Sequence, residues 1–188
     1  MYAGDAGDLV TAAAGLGIPH PPGYPLYTML GWISSFIPVS TISWRVALMS
    51  SLSHSAVIGC VYYVTLQIYQ KHQAALFASV VLLGNYIFFL YSVTPEVFAL
   101  LDLSVVSMIL IAERWTRRGA LSFGLLRVAV FALGLSLSHH HMIVCMIPAL
   151  VYLYVHHHRG LLLNWRRIIT LSGIFLLGLV PYGYIPVA

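Results

Sequence analysis

Apolar positions dominate this chain and fall into six runs, at 46–69, 74–93, 97–112, 121–138, 142–155 and 168–185. A helix that crosses a bilayer needs about 20 predominantly apolar residues, within a range of about 17–25. The first, second, fourth and sixth runs meet that length. The third and fifth span only if their polar flanks sit at the interface, and Pro148 interrupts the fifth. Ahead of them, 25–38 is apolar but short and bounded by proline at both ends, which suits an interfacial or re-entrant helix. The expected architecture is therefore all-α. A polar loop with interfacial helices occupies 1–45, and a six-span integral membrane bundle follows at 46–188.

Composition narrows the class. Of 188 residues, 60% are hydrophobic and 7% charged, and mean hydropathy is +0.90. Soluble domains carry about 25% charged residues, so this chain has too few to cover a water-facing surface. The net charge of +4 would suggest nucleic acid only if the basic residues formed one exposed patch. They lie instead in short loops between apolar runs, so the expected partner is the membrane and not nucleic acid. Cys60 and Cys145 fall inside apolar runs, where free cysteine behaves as a small hydrophobe. The segment Met1–Asp8 holds two acids and no base, so no signal-peptide n-region is expected.

Charge also orients the bundle. If all six runs span, the loops after the first, third and fifth share one side. They hold Lys71, then Arg114, Arg117 and Arg118, then Arg159, Arg166 and Arg167. Arg127 lies just inside the fourth run from that side, close enough to snorkel. Only Arg45 lies opposite. The positive-inside rule makes the basic side cytoplasmic. The exoplasmic side then carries Asp5, Asp8, His20, Glu96 and the triplet His139–His141, with Asp102 a short way into the third run.

Several of these polar residues have both a structural and a chemical reading. Asp5 and Asp8 fit a helix N-terminus, with Asp5 as N-cap, Asp8 closing a capping box, and Gly15 and Gly17 ending the helix. The same carboxylates could serve as a base for a hydroxyl nucleophile. His20-Pro21-Pro22-Gly23-Tyr24-Pro25 reads as a rigid turn into the next helix, and it places an imidazole near Asp5. Thr94-Pro95-Glu96 reads as N-cap, first helical residue and an acid favoured by the helix dipole. Asp102 sits in an apolar run, where an ionisable side chain marks an intramembrane polar site, with Arg127 or a histidine as its partner. Three adjacent imidazoles at His139–His141 point about 100° apart on a helix, so metal is not expected there. His156–His158 read as interfacial filler on the basic side. Arg45, after Trp44, is either a snorkelling anchor or a cation for a phosphate.

The block Asp5-Ala6-Gly7-Asp8-Leu9-Val10-Thr11-Ala12-Ala13, followed by Gly17-Ile18-Pro19-His20-Pro21-Pro22-Gly23-Tyr24-Pro25-Leu26-Tyr27, resembles the signature of a membrane protein O-mannosyltransferase family of the GT-C superfold. Further likenesses follow in order: Trp44-Arg45-Val46 with Leu48-Met49-Ser50, Glu96-Val97-Phe98, Gly134-Leu135-Ser136-Leu137 with His141, and Pro181-Tyr182 with Pro186. The resemblance implies a GT-C-like bundle in the endoplasmic reticulum membrane, or the inner membrane of a bacterium. It implies transfer of mannose from a dolichyl- or polyprenyl-phosphate donor to Ser or Thr hydroxyls of a protein acceptor; animal members act on IPT domains of plexins and of the MET and RON receptors. No metal or other cofactor is implied. Carried over, Asp5 is the base, Asp8 (usually Glu in the family) supports it, and His20, Arg45, Glu96 and His141 line the donor pocket. Ala47 stands where the family has Asn, and His139 and His140 replace its polar pair. The family also has a spanning helix before the Asp loop and more helices after the sixth run, so a partial member is expected. Two other readings compete: a non-catalytic membrane protein that binds carrier lipid or a partner, and a small transporter built on Asp102 and Arg127.

Overall fold

The computed structural model describes residues 4–118, 122–157 and 164–187. Among these, nine α-helices and two 3₁₀ segments follow one another, with no strand. Two short helices come first, α1 (Ala6–Gly15) and α2 (Pro25–Ser35). Helix α3 (Ile42–Tyr69) runs for 28 residues, about 42 Å at 1.5 Å per residue. It starts where the Thr41 side chain accepts from the Trp44 amide at 3.3 Å and stops at Gln70, in the left-handed region at φ 55°. Helices α4 (His72–Leu83) and α5 (Tyr86–Val93) meet at a 68° bend. Gly84 ends the first, and the Asn85 side chain caps the second by accepting from the Phe88 amide at 3.0 Å. The apolar run 74–93 is thus two helices and not one straight span.

Helix α6 (Phe98–Arg118) is 21 residues long and carries Asp102, Glu113, Arg114, Arg117 and Arg118. Helix α7 (Phe123–Leu137) has 15 residues and begins at a Ser122 cap. A 3₁₀ segment (His141–Met146) leads into α8 (Ile147–His157), which places Pro148 in the first turn, where a missing N–H costs nothing. Helix α9 (Trp165–Gly178) follows, then a second 3₁₀ segment (Val180–Val187). One described helix, α3, is long and apolar enough to cross a membrane, and the bent pair α4–α5 could supply a second. The fourth run gives a helix of only 15 residues and 3₁₀ segments shorten the fifth and sixth, so six full spans do not follow from these lengths.

Helix α3 is the hub, in contact with α1, α2, α4, α5 and α6. Its first turns bury Val46 and Met49 against Leu9 and Ala13 of α1, Tyr24 and Tyr27 at the start of α2, and Val97 before α6. Gly31 lets α1 and α2 close up: a Cβ there would lie 2.9 Å from the Ala13 methyl. Helices α7 and α9 approach more tightly still. A Cβ on Gly134 would sit 2.5 Å from the Phe175 carbonyl oxygen, and one on Gly178 would sit 2.6 Å from the Phe131 carbonyl oxygen.

The long helices separate the charges by end. Helix α6 starts beside the α3 N-terminal turns, where the Ser50 hydroxyl donates to the Glu96 carbonyl at 3.4 Å. It finishes about 31 Å away, at Glu113, Arg114 and Arg117. Helix α7 runs back: Arg127 marks its start, and the carbonyl of Ser138 at its end accepts from the Leu26 amide at 3.1 Å. Asp5, Asp8 and Glu96 therefore gather at one end, and Lys71, Arg114, Arg117, Arg127, Arg166 and Arg167 lie toward the other. Arg159 and His158, and the side chains of Arg118 and His157, lie outside the described residues.

The glycine contact yields a prediction. Gly134→Ala or Gly178→Ala forces two backbones apart and is expected to destabilise by about 1–3 kcal/mol. Gly173→Ala, on the same α9 with nothing within 4 Å of its Cβ, should be neutral or stabilising. Thermal unfolding in detergent compares the three.

Candidate functional site

Asp5 stands at the start of α1, but its backbone is in the right-handed helical region (φ −79°, ψ 0°) and its side chain caps no amide. An N-cap needs extended backbone to fold its carboxylate over the first turn, so the capping box expected for Asp5 and Asp8 does not form. Both carboxylates are exposed and turn to His20 instead. Asp8 Oδ2 accepts from the His20 backbone amide and from Nδ1, both at 2.8 Å. On the other side of the ring, Nε2 lies 3.3 Å from Asp5 Oδ2 and 3.4 Å from the Tyr24 hydroxyl. The imidazole is held between two carboxylates.

The turn after His20 makes this arrangement possible. Gly23 has φ 89°, and Tyr24 follows at φ 40°, a region that a non-glycine residue enters only under local constraint. Pro25 then opens α2 at its first position. Helix α1 ends differently from the expectation: Leu16, not a glycine, takes the left-handed position at φ 50°.

Glu96 reaches the same place from the α5–α6 linker. Thr94 does not cap α6, because its hydroxyl donates back to the Leu90 carbonyl at 2.9 Å and the helix begins only at Phe98. Pro95 and Glu96 thus lie in the linker and not in a first turn. The linker is pinned by Ser50 on the Glu96 carbonyl and by His139 Nε2, which donates to the Val97 carbonyl at 2.9 Å. The buried Glu96 carboxylate accepts from the backbone amides of Asp5 and Val97. A Cβ on Gly4 would come within 3.0 Å of it. Asp5 and Glu96 line one wall of a cleft of about 220 Å³ whose other wall is Leu90, Tyr91 and Phe98, with the two aromatic rings 4.7 Å apart.

Electrostatics follow from this packing. Burial pushes the Glu96 carboxyl above the usual carboxylate range, and the neighbouring Asp5 charge adds to it. The hydrogen bonds from the His20 backbone and then its ring hold Asp8 below that range. Burial raises the Tyr24 phenol, with Asp5 and Glu96 contributing. His139 is pushed down to about 3 by burial and stacks on Tyr27 at 6.1 Å, so it is a neutral structural donor. Among the described residues no three His, Cys, Asp or Glu side chains could together hold a metal ion.

Three other candidates go elsewhere. Arg45 spends its guanidinium on the carbonyls of Ser35, Val39 and Ser40, at 2.7, 2.7 and 2.9 Å. It closes the C-terminal end of α2, where unpaired carbonyls attract a cation, instead of facing the cleft. His141 Nε2 lies 3.1 Å from the Tyr182 hydroxyl, which donates to Leu137. Its neighbour His140 turns inward, 5.5 Å from Tyr24 and 6.5 Å from Phe98 between ring centroids. Asp102 pairs with His54 and not with Arg127: Nε2 is 3.2 Å from Asp102 Oδ2, and Nδ1 is 2.8 Å from the Ser92 hydroxyl. His54 is 1% exposed and lies flat on Phe88 at 3.9 Å, so this one ring joins α3, α5 and α6. Reading the sequence missed His54. The cue was a histidine amid small residues in the longest apolar run, with an Asp elsewhere in need of a partner.

Comparison with known proteins places residues 5–162 on the model of the family described as protein O-mannosyl-transferase TMEM260 N-terminal domain. The chain is 30% identical over 192 residues to protein O-mannosyl-transferase TMEM260 of Mus musculus, covering 98% of this chain and 27% of the relative. It is 28% identical over 194 residues to protein O-mannosyl-transferase tmem260 of Dictyostelium discoideum, covering 95% of this chain and 24% of the relative. It thus spans about a quarter of the length of these relatives. No solved structure matches.

Two outcomes test the packing around the cleft. A carboxyl whose folded pKa is raised contributes stability at low pH that is lost as pH rises through that pKa. Glu96→Gln should therefore melt higher than the parent at neutral pH, with the gap closing as pH falls toward about 4. The neutral His139 opposes acid in both proteins and cancels in the difference. His54→Ala leaves Ser92 and Asp102 without their shared partner, and its cost is expected at about 1–3 kcal/mol by chemical denaturation.

Proposed function

This chain belongs to the protein O-mannosyl-transferase TMEM260 N-terminal domain family, and from that membership we propose that it forms the catalytic front of a GT-C-type enzyme. The enzyme transfers mannose from a dolichyl- or polyprenyl-phosphate donor to Ser or Thr hydroxyls of a protein acceptor. The reaction runs at the lumenal face of a multi-pass protein of the endoplasmic reticulum membrane. The observation that carries this reading is the carboxylate–imidazole–carboxylate array, in which His20 stands 2.8 Å from Asp8 and 3.3 Å from Asp5 beside a cleft shared with Glu96.

In this mechanism Asp5 takes the proton of the acceptor hydroxyl as that oxygen attacks the anomeric carbon and the lipid phosphate leaves. Asp8 fixes His20 by accepting from its backbone amide and its ring Nδ1, and His20 in turn positions the Asp5 carboxylate. Glu96, whose carboxyl is held above the usual carboxylate range by burial, presents that carboxyl to a sugar hydroxyl of the donor. The apolar face of the sugar lies on Tyr91 and Phe98, while its hydroxyls face the carboxyls, which suits a cleft with one polar and one aromatic wall. Arg45 acts as a structural clamp for α2, and His140 is nearer the cleft than His141. The gathering of Asp5, Asp8 and Glu96 at one end and of all the described arginines but Arg45 at the other supports the proposed orientation.

The test uses the protein reconstituted in lipid with labelled dolichyl-phosphate mannose and a folded acceptor rich in Ser and Thr. Transfer is expected, and Asp5→Asn should reduce it by about 10²–10⁴-fold while donor binding persists. Full transfer by Asp5→Asn would remove Asp5 from the base role. Donor binding without transfer would favour a non-catalytic carrier-lipid protein, and solute flux that depends on Asp102 would favour a transporter.

A further inference from the structure

The basic end of the bundle, remote from the acidic cleft, holds two arginines on one aromatic ring. Phe123 opens α7; Arg127, one turn on, places its guanidinium 5.3 Å from the ring centroid, and Arg167 of α9 places its own at 5.4 Å. A cation–π contact orients a guanidinium but does not neutralise its charge. Glu113, the one acid among the described residues at this end, is already paired with Arg117. Two positive charges therefore face one ring, with no acid left among the described residues at this end to offset them.

Phe123 is also part of an apolar wall. It packs with Tyr154 and Leu171 against the buried Trp115 and Leu126. That cluster borders a groove of about 240 Å³ between α6, α7 and α8, lined by Leu126, Val130, Leu133, Leu150, Val151 and Tyr154 among others. Along α7 the groove extends from Leu126 to Leu133, about 10 Å of helix. It has room for several waters at about 30 Å³ each, but its walls are apolar and offer water almost no partner. Phe123, the ring that both arginines face, packs against Trp115 and Leu126 of the groove wall, so the charged pair borders the groove at the start of α7.

We propose that this is a binding site for an anionic glycerophospholipid, with its headgroup phosphate between Arg127 and Arg167 and an acyl chain along the α7–α8 groove. Charge complementarity selects the ligand. A free phosphate would satisfy the guanidinium forks but leave the groove bare. A zwitterionic lipid would fill the groove but bring no net negative charge. Only an anionic amphiphile meets both, and the positive-inside orientation faces this end toward the anionic cytoplasmic leaflet.

The whole chain in nanodiscs of mixed phosphatidylserine and phosphatidylcholine, followed by native mass spectrometry of retained lipid, tests the site. Wild type should retain phosphatidylserine in preference. Arg127→Gln and Arg167→Gln should each lower that preference about fivefold, whereas the corresponding lysine variants should keep most of it. Leu133→Trp, which fills the groove, should reduce retention of both lipids with the arginines intact. Equal retention of the two lipids by wild type would overturn the proposal whatever the variants do. So would a preference that survives Arg127→Gln/Arg167→Gln, or one abolished by inorganic phosphate at concentrations equal to the lipid headgroup.

Discussion

The double hydrogen bond from His20 to one oxygen of Asp8 organises the acidic end of this protein. It ties a backbone amide and a ring nitrogen, twelve residues along the chain, to the first turn of α1. With the ring so fixed, Nε2 has only the space between Asp5 and Tyr24 to face. Asp5 gives up its capping role because its partner lies outside the helix. The loop that makes this geometry bends through two successive positive-φ residues, Gly23 and Tyr24, a backbone path that only a closely packed surround maintains.

That surround is made by small residues. Ala13 and Gly31 let α1 and α2 settle against α3, and Gly134 and Gly178 bring α7 and α9 to backbone contact. Where lipid surrounds a helix, association rests on such close approach and on polar contacts instead of on burial from water. His54 supplies the polar part, joining Ser92 and Asp102 across three helices. The break at Gly84–Asn85 belongs to the same design. A straight helix through 74–93 would not place Ser92 on His54 and then turn the chain so that Glu96 meets Asp5.

Electrostatic roles divide along the long helices. At one end a buried carboxyl beside another acid is driven toward its neutral form, and a buried histidine is driven to neutrality too. That end therefore avoids the full cost of several desolvated charges. At the other end the guanidiniums of Arg127, Arg166 and Arg167 are held over aromatic rings. One fold thus presents a polar cleft and a cationic surface at opposite ends of helices about 30 Å long.

Much of this was legible in the amino-acid order, because hydrophobic runs, prolines and the placement of charges are local properties. The all-helical class, the short proline-bounded α2, the rigid turn after His20, and the separation of acids from arginines all follow from neighbours in the chain. The grouping of Asp5, Asp8 and His20 was also within reach, since His20 follows them by twelve to fifteen residues across the single short helix α1. What only the tertiary structure decided involves partners far apart in sequence. His54 with Asp102 spans 48 residues, and His139 with Val97 spans 42. The fate of Arg45 turned on which carbonyls lay within its reach, and the choice of His140 over His141 on the direction of one turn. Periodicity tells which face of a helix is apolar, but it cannot tell which other helix that face meets; that is settled by packing, where a missing Cβ at Gly134 or Gly178 decides how near two backbones can come.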